Sequence, residues 1–388
     1  MTIKKNIIVM YAISLLQGMV FYSAIATMYR QAVGVTVFQI TLIESISLAL
    51  ALMLEMPWGI LADKIGYKRV MLICNVLYFI SKLVFWKADG FGMFLIERIM
   101  LGIITAGLSG VDMSILYLST SEEEAQKVFG IYNALMTAGM LIASVVYSLF
   151  IAGNYRLAAL LTVGSYGLAM VFTFFLQEIK KPKQENEKPY KAFFEITKDI
   201  LHRKELLCLL IGIALLGECH QTITVFLSQL QYIRAGMNDQ MIGWAYVIVM
   251  VSGLLGARSG AFTRKIGRKA SGTLAFGLAI GSEVLLLLTT GKWLSILAIV
   301  GLRVAYSLFM PLAHVIQNEQ VHHTNRATAL SVNAVVMDSV AIGTNLMFGK
   351  MSDYSLLGSF GFGIGFSLLG WLLFMIGINK INERIIAL

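Results

Sequence analysis

Twelve stretches of this chain are too long and too uniformly apolar to be core helices of a water-soluble domain, and no other feature narrows the possible folds as far. They lie near residues 7–30, 36–61, 69–87, 91–118, 127–152, 155–177, 205–230, 240–262, 270–290, 293–318, 327–349 and 358–378. A helix needs about 20 mostly apolar residues to cross the hydrocarbon layer. Lipid offers nothing to an unpaired backbone amide, so such stretches cross as helices. Composition agrees, with 57% of residues hydrophobic and 14% charged against roughly 45–50% and 25% in soluble domains. Three cysteines (Cys74, Cys208, Cys219) and four prolines exclude disulfide-stapled and collagen-like classes. No Cys/His metal spacing and no ATP-binding loop occurs, so neither metal nor cofactor is expected.

The formal charge of +9 would suit a nucleic-acid binder, but in a membrane protein the placement of Lys and Arg carries the meaning. Of the 31 such residues, 21 fall in segments on the side of the termini, six on the other side, and four (Lys82, Arg98, Arg258, Arg303) within spans. The positive-inside rule therefore predicts cytoplasmic termini in a cell membrane, with the bilayer and not nucleic acid as the partner. The opening MTIKKN leads into an apolar run with no small-residue cleavage site, which reads as an uncleaved first span.

One polar stretch, 178–204, divides the spans six and six. Its Phe193, Phe194, Ile196, Ile200 and Leu201 are spaced like one face of a helix lying along the inner interface. Residues 1–177 and 205–388 are then expected as two six-helix bundles. The halves echo one another: Gly59-Ile-Leu-Ala-Asp63-Lys-Ile-Gly66-Tyr-Lys68-Arg69 matches Gly260-Ala-Phe-Thr-Arg264-Lys-Ile-Gly267-Arg-Lys269 at an offset of 201. Gln39 and Gln240 share that offset, as do Lys82 and Glu283. A duplicated six-helix unit predicts similar bundles, with a site near mid-membrane.

The segment GILADKIGYKR resembles the signature loop of the major facilitator superfamily of secondary transporters, and the twelve-span, two-bundle pattern extends the likeness over nearly the whole chain. Tyr67 departs from the Arg usual in that family, and Arg264 stands for the acidic residue in the second copy. Locally, Gly59 would allow close helix approach, Gly66 a tight turn, and Asp63 a bond to the orphan N–H groups of a neighbouring helix end. By resemblance, Gly59, Asp63, Gly66, Lys68 and Arg69 form a conformational latch. Their positive charges also serve topology. The Glu97-Arg98-x3-Gly102 pattern in the fourth span is similar to the superfamily's Arg-bearing fourth-helix motif, with Leu101 where Gln is common.

An ionisable side chain at bilayer depth is costly and so marks a candidate site. Arg98, Asp112, Glu218 and Asp338 are candidates for proton coupling, since a carboxyl there must find a partner or hold a proton. For Arg98 the alternative is a structural pair with Glu97; for Asp112, a packing ion pair; for Glu218, a hydrogen bond to His220. Gln17, Tyr22, His220, Gln221, Arg303, His314, Gln317 and Asn318 sit on helices that line the cavity in the resembling family. The histidines would relay protons or simply pack. Lys82 and Glu283 would each reach headgroups or a local partner. In the fifth span, Gly130, Ala138, Gly139, Ala143 and Ser144 favour close packing, and no proline-containing glycine motif of the kind found in many exporters is present.

The expected protein is thus an all-α membrane protein, a monomeric secondary transporter that moves a small molecule by alternating access. The 21 methionines and 11% aromatics would suit an adaptable apolar cavity, although such residues also face lipid. Proton-coupled efflux of small amphipathic compounds is the leading reading, with protons or another cation as coupling partner. Ion-coupled uptake of a polar metabolite is the alternative. A polytopic enzyme would need a clustered catalytic constellation, which is missing, and a sensor usually carries a larger soluble part than the segment at 178–204.

Overall fold

The computed structural model describes residues 2–179, 197–320 and 326–387. These are 90% helical and contain no strand. Among them twelve helices are long and apolar enough to cross a membrane: spans 1–6 are Lys5–Ala32, Val37–Ala62, Tyr67–Lys87, Phe91–Leu118, Glu124–Ile151 and Tyr155–Phe174, and spans 7–12 are Lys204–Arg234, Asp239–Ile266, Arg268–Leu288, Lys292–Glu319, Ala329–Tyr354 and Leu356–Ile381. Phe150, Leu288 and Trp293 are 78%, 75% and 75% exposed on these helices, which suits a lipid solvent and not water. Most of the amphipathic stretch, including Phe193, Phe194 and Ile196, lies outside the described residues, whereas 197–202 is helical with Ile200 buried and Leu201 exposed. The chain forms two compact units, Met1–Lys183 with Asn238–Val247, and Gln184–Met237 with Ile248–Leu388.

The duplication is visible in the backbone. Gly66 (φ +90°, ψ 154°) ends the second helix and opens the third, and Gly267 (φ +85°, ψ 162°) does the same 201 residues later. That region of backbone space is essentially reserved for glycine. Gly34 and Gly236 form a second pair, at φ +84° and +72°, offset by 202. The Thr36 hydroxyl accepts the Gln39 N–H while Gln39 Oε1 accepts the Thr36 N–H, a capping box that starts span 2. Asn238 Oδ1 does the first of these jobs for Met241 N–H before span 8.

Helices in lipid gain little hydrophobic drive towards one another, so their association depends on close packing and hydrogen bonds. Spans 1 and 5 of the first unit touch backbone to backbone: a Cβ on Gly18 would collide with the Met136 carbonyl, and one on Gly139 with the Leu15 carbonyl. Val9, Met10, Ile13, Met71, Cys74, Ile104, Ile115 and Tyr132 fill the core beside that crossing. In the second unit, spans 7 and 12 meet the same way at Gly212, Gly370 and Gly377, and Phe276, Phe309 and Phe374 pack with centroids 5.3–5.8 Å apart.

Span 1 breaks after Gly18 and resumes as a 3-10 turn at Ser23–Ile25 and an α-helix at Ala26–Ala32. The break frees backbone groups that lipid could not satisfy. Span 6 takes them up: Ser165 donates to the Leu16 carbonyl, Tyr166 to the Gln17 carbonyl at 2.9 Å, and Thr162 accepts from Phe21 N–H at 3.0 Å. At the matching depth span 7 widens into a π-helical stretch, Thr222–Leu227. Both first helices of the repeat are thus irregular where polar side chains gather.

Candidate functional site

Span 4 is interrupted at Ser109–Gly110, with Gly110 at φ +75°, and restarts as Val111–Leu118. Asp112 therefore stands in the first turn of a new helical segment, about 10 Å from the end of the span at 1.5 Å per residue. Its Oδ1 accepts the Met113 N–H at 2.7 Å and its Oδ2 the Tyr132 hydroxyl at 3.3 Å. The alternative of a packing ion pair finds no support: no Lys or Arg pairs with Asp112 among the described residues. The carboxylate opens instead on a cavity of about 250 Å³ lined by Gln17, Tyr78, Thr105, Ser109, Asp112 and Tyr132, with Met71, Leu108 and Met136 as apolar wall. Gln17 Nε2 is fixed by Asn75 Oδ1 at 2.6 Å, and Asn75 in turn donates to the Met71 carbonyl at 2.8 Å. This unbroken chain of partners sets the Gln17 amide on the wall.

Arg98 does not join Asp112; fourteen residues of span 4, about 20 Å, separate them. Arg98 Nη1 is 2.8 Å from Glu44 Oε2, and its Nε is 3.4 Å from Glu97 Oε2. Glu97 also holds Lys82, at 3.4 Å. Lys82 therefore finds a local partner and does not reach headgroups: it is 5% exposed, and the rings of Tyr22, Tyr78 and Tyr166 stand 5.2–5.9 Å from its ammonium. Tyr22, expected on a cavity wall, is instead stacked on Phe85 at 4.0 Å in this aromatic surround.

In the second unit, His220 is 3% exposed and stacks on Tyr306 with centroids 4.0 Å apart and planes 7° apart. Its Nε2 meets Arg303 Nη1 at 3.4 Å, so His220 turns to Arg303 and not to its neighbour Glu218. Gly253 leaves room for the guanidinium, since a Cβ there would lie 2.6 Å from Arg303 Nε. Glu218 and Asp338 are partly buried, each with a partner of its own. Gln317 is buried against the Met337 sulfur, Asn318 donates to the His314 carbonyl, and His314 and Gln221 are exposed. Glu283 is fully buried and accepts the Ser367 hydroxyl at 2.9 Å. Among the described residues no three His, Cys, Asp or Glu cluster to hold a metal ion.

At the loop between spans 2 and 3, Gly66 makes the expected turn, and the Glu178 carboxylate lies 2.8–3.0 Å from where a Cβ on Gly66 would be. Glu178 Oε1 also accepts the Lys68 N–H at 3.4 Å, so an acidic side chain from beyond span 6 meets the positive end of span 3. Arg69 is exposed, and the Asp63 side chain lies outside the described residues. Gly59 does not mark a tight crossing, since a Cβ there would meet nothing within 4 Å. In the second copy, Arg268, at the position of Tyr67, forms a two-pronged pair with Glu319 at 2.6 and 2.7 Å.

Several partners were not singled out from sequence: Tyr132 and Asn75 around the cavity, Arg30 beside the charged cluster, Tyr306 under His220, and Glu178 at the loop. Glu44 was visible as an intramembrane carboxylate, the one signal that could have drawn it to Arg98. Arg30 reads from sequence only as a charge at the end of the first span, and the others are ordinary residues at ordinary helical spacing.

Comparison with known proteins places these features in a family. The model of the Major Facilitator Superfamily matches residues 7–344. An uncharacterized MFS-type transporter of Methanocaldococcus jannaschii is 28% identical over 176 residues, 44% of this chain, and the match spans only 42% of that relative's length. Among solved structures, the nucleoside transporter NupG superposes with a TM-score of 0.80 at 17% identity, covering 97% of this chain and 99% of its own. A D-xylose-proton symporter gives 0.74 at 16% identity over 96% and 98%. A bacterial homolog of the human lysosomal transporter Spinster gives 0.70 at 14% over 97% and 94%.

Proposed function

Because the chain belongs to the Major Facilitator Superfamily, and so is a membrane transporter and not an enzyme, we propose that it carries a small, polar, hydrogen-bonding solute in exchange or cotransport with protons, Asp112 being the group that takes up and releases the proton. One observation carries this reading: a carboxylate with no cationic partner among the described residues borders a cavity whose wall presents five other hydrogen-bonding side chains. A carboxylate held only by a hydroxyl and an amide can gain a proton without breaking an ion pair, whereas a salt-bridged one cannot. In the second unit, Arg303 with His220 is the candidate polar contact. The substrates of the similar structures, a nucleoside and D-xylose with a proton, belong to the same chemical class. Proton-coupled efflux of small amphipathic compounds stands as the second reading, favoured by Met71, Leu108 and Met136 on the same wall.

Purified protein in liposomes under an imposed pH gradient tests both readings. Movement of nucleosides, sugars and cationic dyes is followed in each direction, with and without an uncoupler. Uncoupler-sensitive accumulation of a polar solute is expected, and Asp112→Asn should abolish accumulation while leaving solute exchange at equal pH. Accumulation of dyes alone would favour the second reading. Gradient-driven accumulation at the wild-type level in Asp112→Asn would remove Asp112 from the coupling step.

A further inference from the structure

Five charges lie together in the first unit near the ends of spans 1–4 that are remote from the signature loop. Three are cations, Arg30, Lys82 and Arg98, and two are carboxylates, Glu44 and Glu97. The carboxylates are committed: Glu97 serves Lys82 and Arg98, and Glu44 serves Arg98. Arg30 is 1% exposed, its charged neighbours are Arg98, Glu97 and Glu44, and its Nε and Nη1 have no hydrogen-bond acceptor among the described residues. Its guanidinium carbon lies 5.4 and 5.5 Å from the ring centres of Phe85 and Phe94. Aromatic faces attract a cation but do not neutralise it. One positive charge is left over in a region where an unbalanced charge is expensive.

The fold does not require these charges. The second repeat makes the same helices with Tyr232 at the position of Arg30, in the 202 register of the Gly34 and Gly236 turns, and with an uncharged residue at that of Glu44 in either register, Ala245 at 201 or Tyr246 at 202. It has Glu283, Ala298 and Ile299 at those of Lys82, Glu97 and Arg98, in the 201 register. A costly group that a twin scaffold omits calls for a use beyond packing. The cluster opens only at the Glu44 and Arg98 end, whose side chains keep 27% and 19% exposure, while those of Lys82 and Glu97 keep 6% and 1%.

We propose that this cluster binds one monoanion, a small carboxylate or a halide, which enters past Arg98 and is held by the unfilled N–H groups of Arg30. Planar guanidinium donors suit a carboxylate in two-pronged geometry and accept a halide as a point charge. Binding brings the cluster to neutrality and fills the vacant donors in one step. The solute's own anionic group and a free anion share this chemistry.

Thermal unfolding of the purified full chain in detergent, at constant ionic strength with gluconate as the bulky reference anion, tests it without any transport step. The outcome is therefore independent of the Asp112 reading. Chloride or acetate should raise the unfolding midpoint saturably in the wild type. Arg30→Gln should unfold at a midpoint independent of either anion, and Arg30→Lys should keep a weaker response. Stabilisation by chloride alone identifies a free halide, and by acetate alone a carboxylate group. A wild type indifferent to both anions, or an Arg30→Gln variant that responds like the wild type, overturns the proposal.

Discussion

Replacing Glu97 by Gln isolates what burial does to an ion pair. The Glu97 carboxylate has 1% exposure and holds Lys82 and Arg98, each at 3.4 Å. Glu44 holds Arg98 more closely, at 2.8 Å, but keeps 27% exposure. Distance alone would rank Glu44 as the more valuable partner. Burial reverses the order: removing one member of a buried pair strands the other charge and costs about 3–5 kcal/mol, whereas a pair that stays partly open, as Glu44 and Arg98 do at 27% and 19% exposure, lies closer to the screened case of about 1 kcal/mol. The first unit has about 190 residues, a size at which each kcal/mol moves the unfolding midpoint by about 2–4 °C. Glu97→Gln should therefore lower the midpoint in detergent by about 6–20 °C, and Glu44→Gln by no more than about 4 °C. Adding Lys82→Met to Glu97→Gln removes a stranded ammonium and should recover a large part of the loss. Equal shifts for the two Gln variants, or a double variant no better than Glu97→Gln alone, would refute the reasoning.

Three further changes probe the packing. Gly139→Ala puts a methyl into the Leu15 carbonyl and should cost about 1–3 kcal/mol of overpacking, whereas Gly130→Ala on the same span meets nothing within 4 Å and should leave the midpoint unchanged; thermal unfolding of both compares them. Gly66→Ala should cost about 1–3 kcal/mol, because its φ of +90° with ψ near 154° suits only glycine; Glu178→Ala in that background relieves the crowding but not the backbone strain, so the double variant should remain clearly destabilised. Arg268→Lys removes one prong of the pair with Glu319, but both side chains are 42% exposed, so the midpoint should move by less than about 3 °C at moderate salt.

The twelve spans and the repeated loop were legible because each rests on a local property: apolar length, or a glycine whose backbone angle its side-chain absence permits. Gly66 and Gly267 are the clearest case, since a turn that only glycine tolerates must leave glycine in the sequence at both copies. Asp112 and Arg98 also stood out in the sequence as candidates, because a charge among apolar residues announces its cost. Their partners were not. Asp112 meets Tyr132 and faces Gln17 only because Gly110 restarts the helix and spans 1 and 5 touch at Gly18 and Gly139. Arg98 parts from Asp112 because about 20 Å of helix lies between them, and it meets Glu44 because span 2 packs beside span 4. Gly59 shows the converse, a residue type suited to a close crossing at a place where nothing approaches. The sequence by itself determined where the chain crosses the membrane and which side chains are too expensive to be idle. Which of those side chains meet was decided by helix rotation and crossing depth, set by contacts between residues far apart in the chain.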